Sequence, residues 1–390
     1  MTTPTSFGSK SAQLTNPKRL WQTAGYYAAF IALGLTTASF GPALPYIAEQ
    51  THSQLSLVSS LFAFRSLGYL IGSLRGGHLY DRRPGHPVIL FVLLGLAVCI
   101  ALVPSIPILL PLLVILFFIG LGEGTLDVGG NTLLIWTHGS KVGPFMNGLH
   151  FFFGIGAAIA PILIAQAIIR FGHYGPAYWL IGLIMLPIAF AFSRLPSPTN
   201  QQAAEGSQSK PYNRLLVILL VLFFFLYVGA EVGFGGWVFT YVTKLNLADE
   251  ATAAYITSAF WGALTVGRLL GIPISTRLHP STILWIDLVG CLVSMGIIVL
   301  FPGSTLSIWI GALLLGISMA SIFPTALSLA EKRLPISGRI TGWLFVGASL
   351  GGMVLPWVIG QVFDPFGAPI VMVLILADLV LATILYAFIR

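Results

Sequence analysis

Glu123, Asp127 and Asn131 follow one another at intervals of four residues. On a helix this spacing puts both carboxylates on one face, with Asn131 continuing the stripe. Two carboxylates that close repel, so one favours its protonated form, which suits a proton carrier. With both ionised they offer oxygen ligands to a sodium ion, by analogy with other hard cations. A second cluster holds Glu231, Trp237 and Tyr241, with Tyr227 one turn earlier and Gly233, Gly235 and Gly236 to permit a bend. A carboxylate accepts hydrogen bonds from two vicinal hydroxyls, and an indole covers the apolar face of a pyranose. Asn147 and His150, three apart, share a face. His150 can titrate near neutral pH or pack as a neutral hydrogen-bonded ring. Trp261 is a further ring able to wall a cavity.

These groups are set in an apolar chain. Of 390 residues, 56% are hydrophobic and 8% charged, where a soluble domain carries roughly 25% charged residues. So few charges cannot cover a water-facing surface, which excludes a soluble enzyme of ordinary type. The abundance of Phe, Leu, Ile and Trp excludes disorder. A polytopic membrane protein remains, built of helices because the apolar segments are long and continuous. A charge in the bilayer costs about 3 kcal/mol on insertion scales and faces a cavity or a partner. Arg65, mid-span, therefore needs Asp127 or Glu123. Arg268, toward the end of its span, is placed to pair with Glu331 as a gate. Asp287 and Asp378 read as structural or interfacial.

A helix crossing the hydrocarbon core needs about 20 apolar residues. Twelve candidates run roughly over 21–47, 54–77, 87–104, 107–137, 144–170, 176–194, 213–243, 251–273, 282–301, 305–332, 337–362 and 367–389. Residues 1–20 form a polar tail, 21–194 a first six-helix bundle, 195–212 a flexible polar linker and 213–390 a second bundle. The first apolar run is a full span, so it reads as an uncleaved helix. Fifteen of the nineteen Lys and Arg fall on the side of the termini and linker. The positive-inside rule makes that side cytoplasmic, in a cell (inner) membrane protein. The formal charge of +7 thus reports topology, not nucleic-acid binding. Cys99 and Cys291 lie inside apolar runs and support neither a disulfide framework nor a metal site.

The halves echo each other at an offset near 195 residues: Gly156 and Pro161 match Gly351 and Pro356, Gly77 matches Gly271, and Cys99 matches Cys291. Two related bundles about an axis along the membrane normal, with a solute site between them, are the expectation. Small residues four apart, as in Gly68/Gly72/Gly76, Gly267/Gly271 and Gly347/Gly351, let helices approach closely.

The loop after the second span, GGHLYDRRPGH (76–86), supplies Gly77, Asp81, Arg82, Arg83 and Gly85. It resembles the signature of the major facilitator superfamily, with one extra residue, Pro84. The resemblance implies an all-α major facilitator fold. It also implies that Asp81 meets the N-terminus of the eleventh helix when the carrier faces outward, where a carboxylate is favoured. SFGPALP (39–45) with QTHSQLS (50–56), GEGTLDVGGN (122–131), MNGLHFFFGIGAAIAP (146–161) and GAEVGFGGWVFTY (229–241) look like the sodium-dependent glucose transporter-like branch. They are more distantly similar to fucose–proton symporters, whose essential Asp in the first helix is replaced here by Gly41. Asp127 and Asn131 match that branch's acidic-and-Asn pair; Glu123 has no firm counterpart.

The resemblance implies cation-coupled symport of a monosaccharide, driven by sodium or protons, with alternating access. Asp127, Asn131, Glu231, Trp237, His150, Asn147, Tyr241 and Trp261 form the expected sugar site, and Asp127 and Glu123 the coupling pair. Asp81, Arg82, Arg65, Arg268 and Glu331 are the expected gating charges. The alternative is a proton-coupled exporter of drugs or lipids, although Pro161 is followed by Ile162 and Leu163 rather than the Gly-rich motif of antiporters. No nucleophile–base pair, metal spacing or phosphate loop suggests an enzyme or a cofactor. The expected partners are the solute and the bilayer, with the chain a monomer.

Overall fold

The computed structural model describes residues 17–198, 213–334 and 338–389. Among them there is helix and no strand. We label twelve helices: α1 Pro17–Gln50, α2 Leu55–Arg82, α3 Gly85–Leu102, α4 Leu109–His138, α5 Gly143–Phe171, α6 Gly175–Arg194, α7 Arg214–Lys244, α8 Glu250–Ser275, α9 Pro280–Leu300, α10 in two pieces (Thr305–Met319 and Ile322–Arg333), α11 Gly338–Phe366 and α12 Pro369–Ile389. Eleven helices are long and apolar enough to cross a membrane; α8 falls below that mark. It carries Thr252, Thr257, Ser258, Thr265 and Arg268 along its length.

Residues 1–16 and most of the predicted linker, 199–212, lie outside the described residues, as does the side chain of Glu331. The described start of the linker is tied to the first bundle. Gln22 Nε2 donates to Pro196 O at 2.7 Å, His86 Nδ1 lies 2.9 Å from Leu195 O, and Ser197 Oγ accepts from the His86 backbone N–H. Several helices outrun their apolar cores. In particular α2 continues through Asp81 and Arg82, which the sequence placed in a loop. Tyr80, packed against Gly129 of α4, holds that last turn in place, and Arg83 and Pro84 alone make the turn into α3.

Each half builds on two tight helix pairs: α1 with α5 and α2 with α4 in the first, α7 with α11 and α8 with α10 in the second. The repeat is visible atom by atom. A Cβ on Gly120 would sit 1.8 Å from Arg65 O, and one on Gly316 would sit 2.4 Å from Phe260 O. Gly156 meets Ile31 O and Gly351 meets Phe225 O in the same way. All four contacts have backbone against backbone, which only a residue without a Cβ allows. Gly77 and Gly271, also matched in sequence, make no such contact: nothing lies within 4 Å of a Cβ at Gly77.

The bundles meet through α1 with α7, α2 with α11 and α5 with α8. Among the described residues, the hydrogen bonds and ring contacts joining them lie on the half of the molecule away from the termini. Gln361 Nε2 donates to Ser56 O and Ser59 Oγ, Gln166 Nε2 to Tyr255 Oη, and Ser258 Oγ to Ala158 O. Phe62 stacks with Trp237, and Tyr46 lies against Phe239. The far side is therefore sealed. On the termini side Asp81, Arg82 and Asn147 are exposed.

Candidate functional site

The seam of close contacts between the bundles ends at one level, and polar side chains begin one turn beyond it, toward the termini. On α1, Gly41 abuts Gly235 and Gly236 of α7; Thr37 follows one turn away. On α7, Gly235 is followed by Glu231. On α5, Gly154 abuts Thr265 of α8 and is followed by His150. On α8, Thr265 is followed by Arg268. Spacings of three and four keep each polar residue on the face that its seam residue turns to the other bundle. Glu231, His150 and Arg268 are each partly exposed although they lie inside spans. They border a vestibule open toward the termini side.

The first bundle closes this vestibule with α4. Glu123, 1% exposed, is held by Arg65 of α2 in a two-pronged ion pair, Nε to Oε2 at 2.8 Å and a terminal guanidinium N–H to Oε1 at 2.7 Å. Thr37 Oγ1 also donates to Glu123, at 3.2 Å. Both oxygens of this buried carboxylate are thus engaged, by three donors of which two belong to one guanidinium. Asp127, one turn on, is partly exposed. It accepts from Tyr69 Oη at one oxygen and from Asn131 Nδ2, at 3.0 Å, at the other. Asn131 also caps Asp127 O at 2.8 Å. Tyr69 and Asn131 therefore aim the Asp127 carboxylate.

Arg268 lies within electrostatic reach of Asp127 and of His150 in the first bundle and of Tyr227 in its own. Glu231, one turn along α7, adjoins the Tyr227 hydroxyl. The Tyr227 hydroxyl donates to Met319 O at 2.9 Å, satisfying the carbonyl left at the break in α10. Arg268 thus continues the α8 face that meets α5 and borders the vestibule; its expected partner, the side chain of Glu331, lies outside the described residues. Asp287, read as structural or interfacial, accepts from Ser321 Oγ at 2.5 Å beside the same break.

The aromatic residues are divided. Trp237 is 0% exposed, and its indole N–H donates to Pro356 O at 3.1 Å. Its ring is stacked between Phe62 and Phe363. This removes Trp237 from the vestibule wall and makes it part of the far-side seal. Tyr241, one turn on, is buried with it. Trp261 is different: its ring lies against Gly235, and its buried indole N–H has no acceptor among the described residues. Trp261 and Arg268, seven residues apart, share a face of α8. Asn147 is exposed at the mouth. A cavity of about 10 Å³, enough for roughly one water, lies inside the first bundle beside Arg65, Thr36, Ser39 and Tyr178.

Two residues of the site were missed in the sequence. Tyr69 lies one turn after Arg65 on α2, and Thr37 one turn before Gly41 on α1. Their positions relative to those residues were the available signal.

The chain matches the family model of the Major Facilitator Superfamily over residues 26–356. It is 31% identical to sodium-dependent glucose transporter 1 of Xenopus laevis, with 90% of this chain and 78% of that protein covered. It is 34% identical to sodium-dependent glucose transporter 1 of Homo sapiens, over 85% of this chain and 72% of that one. Among solved structures, the nucleoside transporter NupG superposes with a TM-score of 0.79 at 13% identity, covering 95% of this chain and 99% of that one; at that identity the likeness concerns the fold. The chain is a membrane transporter, not an enzyme, and belongs to the major facilitator superfamily.

Proposed function

We propose that the protein carries a monosaccharide of the glucose class together with a monovalent cation, by alternating access between its two bundles. The observation that carries this reading is the bracket of charge around the vestibule. Asp127, aimed by Tyr69 and Asn131, stands on one bundle; Glu231 and Arg268 stand on the other. Relatives named sodium-dependent glucose transporters, at 31% and 34% identity, support the same substrate class.

The charge balance favours a neutral solute with one cation. Arg65 and Glu123 cancel. Asp127 and Glu231, if ionised, leave one negative charge over after Arg268. One sodium ion or proton at Asp127 makes the loaded site neutral, the state least costly to enclose in a low-dielectric core. Carboxylate and amide oxygens accept sugar hydroxyls. The Lys and Arg distribution supports cytoplasmic termini, so the open vestibule faces inward. The carrier acts as a monomer, with the whole site inside one chain.

Thermal stabilisation of the purified protein by a panel of sugars, with and without sodium, tests solute and ion together. Lipophilic cations raising the melting point where no sugar does would transfer the reading to export. In proteoliposomes, Asp127→Asn abolishes accumulation driven by a sodium or proton gradient while leaving the protein folded. Full accumulation by that variant removes Asp127 from the coupling.

A further inference from the structure

The two intramembrane arginines are used differently. Arg65 is spent on Glu123 of its own bundle, with both carboxylate oxygens engaged. Arg268 makes no ion pair among the described residues, although it is one turn from the seam and faces the first bundle. Thr265 beside it is pressed against Gly154, so the α8 face that carries Arg268 looks toward His150. Asp127 and Glu123 are the carboxylates on the facing side; Glu123 is taken, and Asp127 is held by neutral donors alone. On its own side Arg268 has Glu231, beside Tyr227. An intramembrane cation without an ion-pair partner, near carboxylates that also lack one among the described residues, is an arrangement that something must complete.

We infer that Arg268 is a built-in counter-cation of the transport site, competing with the coupling ion for Asp127. This rests on the symport reading. With no ion bound, the guanidinium is shared across the vestibule between Asp127 of the first bundle and Glu231 of the second. Sodium or a proton at Asp127 cancels the first attraction, and Arg268 turns wholly to Glu231, within its own bundle. Ion binding thereby removes an electrostatic tie between bundles, and ion release restores it. An arginine suits this role because it stays charged throughout and can hold carboxylates in a two-pronged geometry.

The test is the half-saturating concentration of the coupling ion for sugar uptake in proteoliposomes of the full chain, varying sodium at fixed pH and pH at fixed sodium. Arg268→Gln removes the competitor, so that concentration falls on the order of tenfold, as expected for the loss of one nearby unit charge at an effective dielectric constant near 20. Arg268→Lys keeps the charge and stays within about twofold of the wild type. Should Arg268→Gln fail to fold, Glu231→Gln reads the same balance from the other side: Arg268 is left to Asp127 alone, and the half-saturating concentration rises. An unchanged or raised value for Arg268→Gln, or an unchanged or lowered one for Glu231→Gln, overturns the inference while symport stands. A wild type indifferent to both sodium and pH overturns symport itself, and the counter-cation with it.

Discussion

Gly41 lies where the first and seventh helices cross, and the far-side seal depends on its having no side chain. A Cβ there would lie 2.5 Å from Gly235 O and 3.1 Å from Gly236 Cα. Both neighbours are backbone, so neither can swing aside, and α1 and α7 must separate by several tenths of an ångström. Overpacking of this kind costs about 1–3 kcal/mol. In the proposed alternating-access cycle the contact exists only while the far side is closed, so Gly41→Ala places the whole cost on that state. The balance between the two facings then moves by about 5- to 150-fold toward far-side opening. The assay is maleimide labelling of Ser59→Cys in a background with Cys99 and Cys291 replaced by alanine. Ser59 is 0% exposed and lies under Gln361 and Gly360 in the closed seam. Adding Gly41→Ala should raise its labelling rate at least fivefold, and lower that of Asn147→Cys at the opposite mouth. Gly34→Ala is the control. Its Cβ would lie 2.0 Å from Phe153 O, inside one bundle, so it should lower the melting point without redistributing the label. Equal Ser59→Cys rates with and without Gly41→Ala, in folded protein, would refute the seam as the hinge of the equilibrium.

Two further outcomes follow from the buried partners. Glu123→Gln leaves Arg65 without its counter-charge in the core and should cost about 3–5 kcal/mol, read as a lower melting point in detergent, with partial recovery when Arg65→Gln is added; no loss in the single variant would show that the pair bears little. Trp237→Phe keeps a ring between Phe62 and Phe363 but strips the donor from Pro356 O. It should cost about 0.5–1.5 kcal/mol and raise Ser59→Cys labelling modestly, whereas unchanged labelling would detach Trp237 from the seal.

Which parts of this were legible in the sequence follows from what each depends on. The spans depend on twenty-residue apolar runs, a local property, and they stand out even in α8, whose Arg268 and hydroxyl residues weaken it. The end of α2 was less legible: Asp81 and Arg82 are polar, and they are helical because Tyr80 packs on Gly129, a contact 49 positions away. The need of Arg65 for a carboxylate was readable from cost alone. Which carboxylate was not, since Glu123 and Asp127 share a face and only the depth of α2 against α4 separates them. Arg268 was placed by counting from the end of its span, which suggested Glu331. Its described surroundings depend on where the α5–α8 contact stops, a matter of how two bundles lean. Trp237 carried the wrong sign for a related reason. An indole beside glycines suits a sugar ring or a tight seam equally well, and its hydrogen bond to Pro356 O crosses 119 residues.

The division of strong and weak contacts also fits the proposed alternating access, in which the bundles, and not the helices within them, would be the moving parts. Inside each bundle, backbones touch along paired faces, as at Gly120 with Arg65 and Gly316 with Phe260, and the Arg65–Glu123 pair adds a buried bond that would cost about 3–5 kcal/mol to break. Across the seam there is no ion pair among the described residues. The tie is made of small residues, stacked rings and neutral hydrogen bonds such as those of Gln361 and Gln166, each worth about 0.5–1.5 kcal/mol net. Such bonds can be exchanged for water when the far side opens. A permanent salt bridge in the same place would have to be broken in every cycle. The intramembrane charges therefore fall into two sets: Arg65 with Glu123, paired inside one bundle, and Asp127 of the first bundle, which faces Glu231 and Arg268 of the second.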